Sequence, residues 1–151
     1  MSKTLFDKVA VDEIVSRIAI LTSTSQRLRG KMSVDQMLEH CALALDMAMG
    51  KTPTKRAFLW YIFGWIAKRS TFKNEHFGKN LPSIPEVITI SKHFDCEDEK
   101  KRLIIVIHEF STIEPKKIEN NVHAFFGALT AEEWGILMYK HLDHHLRQFG
   151  V

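Results

Sequence analysis

Cysteine is scarce in this chain: two residues in 151, Cys41 and Cys96, far apart and without ligand spacing. That excludes a disulfide framework and a cysteine-based zinc knuckle, and makes a reducing cytoplasm the expected compartment. No apolar stretch approaches the roughly 18 residues of a membrane-spanning helix, and the opening MSKTLFDKVA has no hydrophobic segment of signal-peptide length. Neither export nor stable membrane insertion is expected. Strong charge of one sign is also missing: 21 Lys and Arg stand against 18 Asp and Glu, for a net +3, with the two signs interleaved. A nucleic-acid binder carries a denser basic stripe, so the expected partner is a small-molecule substrate rather than nucleic acid.

What is present suits one domain over residues 1–151. Apolar residues make up 45% and charged residues 26%, the balance of a chain that closes a single core without staples. Val11, Ile14, Val15, Ile18 and Leu21 recur at three- and four-residue spacing and predict a first helix. Ser33 and Gln36 form a capping box that opens a second, running to about Met49 before Gly50. Pro53 suits the first turn of a third over Thr54 to Lys68, which holds the most apolar run, AFLWYIFGWIA. Thr71 to Cys96, with Gly78, Pro82 and Pro85, reads as a long irregular connection. A fourth helix is expected over Glu97 to Phe110, broken by Pro115 and NNVHAFFG. Thr130 and Glu133 make a second capping box for a last helix reaching Gln148. Five helical segments without an alternating strand predict an all-α fold, a four-helix up-down bundle with one additional helical segment.

The last helix carries the chemistry. At about 100° per residue, Trp134, Leu137, Met138, His141, Leu142, His145 and Phe149 share one face, with His141 and His145 in its middle. Histidines four apart stand one above the other, Cβ atoms roughly 6 Å apart, so both rings reach one ion. A buried neutral imidazole needs a partner for each ring nitrogen, and the neighbours here are mostly apolar. On the second helix His40 lies at the edge of the apolar arc, beside Met37 and Ala44, and points inward. Three histidines, His40, His141 and His145, would leave a coordination position open, as catalytic metal sites do. The competing reading of each is a hydrogen-bonded core residue. His144 reads as a solvated flank residue before it reads as an acid–base group. Gln148, three past His145, is placed to orient that ring or simply to end the helix. His76, His93, His108 and His123 are not expected to be ligands, and Cys41 faces too deep to be a nucleophile.

HLDHHLRQ (141–148) resembles the last-helix motif of the DinB/YfiT-like superfamily, and MLEH (37–40) resembles that family's other ligand-bearing helix. GKMSVDQMLEH, the NLPSIPE loop and FFGALTAEEWGILMYKHLDHHLRQFG resemble an uncharacterised bacterial branch of it. The resemblance implies a divalent transition metal, nickel or zinc foremost, on His40, His141 and His145. It also implies a metal-dependent thiol transferase or isomerase with a low-molecular-weight thiol cosubstrate such as bacillithiol, mycothiol or glutathione; some members of that superfamily are classed as hydrolases. Leu142 stands where the H-E-x-x-H metalloproteases have their general base, which excludes that mechanism. The alternatives are a non-catalytic, metal-stabilised binding or stress-response protein and a metal-dependent hydrolase. The run Ala57 to Ala67, flanked by Lys55, Arg56, Lys68 and Arg69, is expected to be a core helix or a homodimer contact before a membrane-surface one.

Overall fold

The computed structural model describes residues 2–53, 59–73 and 93–151. Among these residues the chain forms six helices, α1 (Lys8–Ile20), α2 (Val34–Ala48), α3 (Leu59–Lys73), α4 (Cys96–Ser111), α5 (Pro115–Ile118) and α6 (Ala131–Arg147), with a minimal hairpin of β1 (Val122–His123) and β2 (Gly127–Ala128) before α6. The fold is mostly helical.

Each long helix except α3 starts where a side chain satisfies the free amides of its first turn. Asp7 accepts from Val9 N–H at 3.0 Å, which starts α1 three residues before the apolar period becomes visible. Gln36 Oε1 takes the Ser33 N–H at 3.0 Å, closing one half of the box at the head of α2. Asp95 accepts from Asp98 N–H at 2.9 Å, and Glu97, Asp98 and Glu99 then place negative charge against the positive end of the α4 dipole. At α6 the box is reciprocal, Thr130 Oγ1 accepting from Glu133 N–H at 3.2 Å and Glu133 Oε2 from Thr130 N–H at 2.9 Å.

Helix α2 packs against α4 and α6, and α1 packs against the same two. Between them lies one apolar core in which Ile14, Ile18, Met37, Leu38, Leu45, Leu103, Ile107, Phe110 and Trp134 are fully buried. The N-terminal segment closes one side of it: Leu5 N–H donates to Gly135 O at 3.1 Å, and Phe6 stacks on Phe110 at 5.4 Å. Gly135 is required at that crossing, because a Cβ there would sit 2.2 Å from Thr4 Oγ1 and 2.7 Å from the Phe6 ring. Helix α3 lies against α6 and β2, where Lys68 pairs with Glu133 at 2.8 Å.

The sequence expectation of five segments without strand differs in two places. Pro115 starts the four-residue α5 instead of only ending α4, and Val122↔Ala128 and His123↔Gly127 pair as an antiparallel hairpin. Two-residue strands are too short to show a period of two. The expected start of the third helix at Thr54, the first two residues of its apolar run, Ala57 and Phe58, and most of the Thr71–Cys96 connection, with the NLPSIPE loop and His76, lie outside what is described. Of that connection, Thr71–Lys73 extend α3. Among the described residues no helix is long and apolar enough to cross a membrane.

Candidate metal centre

His40 from α2 and His141 and His145 from α6 come together: one ring nitrogen of each lies within 4.8 Å of those of the other two. His40 Nε2 and His141 Nε2 are 3.1 Å apart, and the His145 ring stands edge-on to both, 4.6 Å from each centroid. Two nitrogens bound tetrahedrally to one ion at about 2.0–2.1 Å are about 3.4 Å apart. The pair therefore fits a shared ion as well as it fits a direct hydrogen bond, in which one ring must carry the proton between them. His40 and His145 are buried and His141 keeps a partly exposed edge.

The surroundings hold His141 and His145 neutral. Burial pushes His145 down to about 3, with His40 adding to the shift and the Gln148 hydrogen bond opposing it. His141 lies well below the usual histidine range because of its burial first and the neighbouring His145 and His40 second. Neutral imidazole is the form that offers a lone pair to a metal.

Gln148, the C-cap of α6, fixes which nitrogen of His145 is available. Its Oε1 accepts the Nδ1–H of His145 at 3.1 Å, which directs the Nε2 lone pair to the cluster, and its amide donates to His144 Nε2 at 3.3 Å. The loop before α2 locks Gln148 from behind. Leu28 N–H donates to Gln148 O at 2.7 Å, and Gly30, at φ +90°, lies so close that a Cβ would meet the Gln148 side-chain amide at 3.4 Å. His144 is therefore not a solvated flank residue: it is half-buried, bonded to Gln148 and edge-on to His145 at 5.1 Å.

Two neighbours are not visible in the sequence. His123 is buried on β1, where its Nδ1 accepts from the N–H of Phe125 at 3.1 Å and of Phe126 at 3.4 Å, so its own proton sits on Nε2. Burial lowers it to about 4, and it stacks on Phe126 and tilts against Trp134, 5.6 Å away. It stays outside the ligand cluster, as does the exposed His108. Glu39, adjacent to His40, is buried and pairs with Arg102 of α4, which also reaches Asp46 at 3.2 Å, so α2 is tied to α4. A lone histidine in a loop and a single acidic residue on a helix carry no local signal of burial.

Cys41 follows His40 but is inert, its thiol buried with Sγ 3.7 Å from Met37 Sδ and its pKa pushed far up by burial.

Across residues 2–150 the chain matches the model of a family described as "Protein of unknown function (DUF1569)". No curated protein and no solved structure matches it.

Proposed function

We propose that this chain, which belongs to the DUF1569 family, is a metal-dependent enzyme of DinB-like type that holds one divalent transition ion on His40, His141 and His145. The observation that carries the reading is the convergence of three ring nitrogens within 4.8 Å from two helices far apart in sequence. The packing of α1, α2, α4 and α6 on one another supports a four-helix up-down bundle of DinB/YfiT type, with α3 as the additional segment.

An ion at such a site, nickel or zinc by the resemblance to the DinB-like superfamily, would lower the pKa of a bound thiol or water so that a nucleophile exists near neutral pH. The protein's own part is preparation. Burial keeps His141 and His145 unprotonated, Gln148 sets the His145 tautomer, and three protein ligands leave room for a small molecule beside the partly exposed His141. Because Cys41 is buried and protonated, the nucleophile comes from a cosubstrate, and a low-molecular-weight thiol makes the reaction an S-transfer or isomerisation. Water in its place makes it a hydrolysis. Trp65 and Ile66, both exposed on α3, support a contact between two copies along that helix.

The test joins elemental analysis of protein purified without chelator to a screen of thiol cosubstrates with electrophilic acceptors. Stoichiometric metal that disappears in His141→Ala with unchanged thermal stability is the expected result. Absence of metal sinks the reading. Loss of both metal and stability in His141→Ala favours the alternative of a metal-stabilised, non-catalytic binding protein.

A further inference from the structure

A pocket of about 1050 Å³ opens on the other side of α6 from the histidines. Tyr139, Lys140, Asp143 and Arg147 line it from α6, on a face turned well over 90° from His141 and His145 at about 100° per residue. Lys3, Arg17 and Arg29 line it from the N-terminal segment, α1 and the loop before α2. Its side chains bring five cations, Lys3, Arg17, Arg29, Lys140 and Arg147, against two side-chain carboxylates, Glu13 and Asp143, while the Val151 oxygen on the same wall accepts from Arg17 at 2.9 Å.

Both carboxylates are already held. Asp143 lies between Arg17, at 2.9 Å, and the Nε of Arg147, at 2.9 and 3.0 Å, while Glu13 accepts from Lys3 at 2.5 Å and from the Tyr139 hydroxyl at 3.1 Å. Lys140 is also committed, donating to Thr71 O at 2.8 Å. The surplus is concentrated in two guanidiniums. Arg29 is exposed and has no hydrogen bond or ion pair among the described residues, and the terminal nitrogens of Arg147 are in the same condition, since only its Nε meets Asp143.

We propose that this pocket is a binding site for a small organic polyanion, a molecule with two carboxylate or phosphate groups, gripped by Arg29 and Arg147. A guanidinium offers paired N–H groups that match a carboxylate or phosphate in a fork, and two of them on separate walls select two acidic groups. The volume is that of a site for a small organic molecule and would leave a single inorganic ion loosely surrounded. Cations are repelled by the surplus positive charge, which the low-dielectric walls focus into the cleft. The site is independent of metal on the histidines.

The test is calorimetric titration of the full chain at low ionic strength with glutarate and with phosphoenolpyruvate, and acetate as the single-charge control. Saturable binding of glutarate or phosphoenolpyruvate, weakened about tenfold or more by Arg29→Gln and unaffected by His141→Ala, is expected. A preference for one probe assigns the acidic group as carboxylate or phosphate. Arg29 has no partner among the described residues, so its variant retains the fold; Arg147→Gln, which uncovers one side of Asp143, is read beside its melting curve. The proposal is overturned if neither probe saturates or acetate binds as tightly as either. It is equally overturned if Arg29→Gln binds like the parent, if the exposed control Lys101→Gln weakens binding as much as Arg29→Gln does, or if His141→Ala abolishes it.

Discussion

His123 makes folding stability depend on pH in a calculable way. An unfolded histidine titrates near 6.5, whereas the buried His123 titrates at about 4. Between those values the unfolded chain binds more protons than the folded one, so stability rises with pH there. The contribution is complete above about pH 6.5 and is lost as pH falls toward 4. At pH 5 the unfolded ring is almost fully protonated and the folded one about a tenth so, a loss of about 2 kcal/mol; the limit below pH 4 is about 3 kcal/mol. His123→Asn keeps an acceptor for the Phe125 and Phe126 amides where Nδ1 now stands, removes the titration, and forfeits the ring contacts equally at every pH. Urea unfolding of both proteins, with chelator so that the other histidines contribute alike, should give a stability gap that shrinks by about 2 kcal/mol between pH 7.5 and pH 5. Parallel stability curves across that interval would refute the assignment of His123 as a buried neutral ring.

Gln148→Leu removes the acceptor for His145 Nδ1–H and should weaken metal binding about 10- to 100-fold in competition with a chromogenic chelator, with Gln148→Glu close to the parent. Gly135→Ala gains about 1 kcal/mol of helix propensity but drives a methyl into Thr4 and Phe6, and a lower melting temperature, by about 1–3 kcal/mol of stability, is the expected balance. Asp143→Ala takes the nearest carboxylate from the mostly buried Arg17, which keeps Val151 O at 2.9 Å and Glu13 at 3.6 Å, and should cost about 2 kcal/mol in urea unfolding, whereas Asp12→Ala, from the exposed pair with Lys8, should stay within about 0.5 kcal/mol.

The parts of this molecule that can be read from sequence are those governed by neighbours within one or two turns. Thr130 and Glu133 announce α6 because both halves of the box lie within one turn of each other, and the phase of His141 and His145 follows from the helix itself. The same rule places His40 on α2, and the three-residue distance from His145 places Gln148. His144 departs from its expected exposure for the opposite reason: its burial depends on Leu28 and Gly30 closing over Gln148, more than a hundred residues away in sequence. His123 depends on a hairpin whose strands are shorter than any period, and Glu39 on an arginine from α4. The basic pocket is hidden in the same way, because its cations are scattered over four parts of the chain and only packing collects them.

The position of His145 has a kinetic side. It stands in the final turn of α6, and the cap's N–H on His145 O at 3.0 Å is among the last hydrogen bonds of that helix. Helix ends fray at far smaller free energies than whole domains unfold. Opening one turn would swing the His145 imidazole away while His40 and His141 stay in the packed interior. Ion exchange with the folded protein would then keep pace with amide hydrogen exchange at residues 145–149, faster than global unfolding allows, and the clasp of Leu28 and Gly30 on Gln148 would act as its brake.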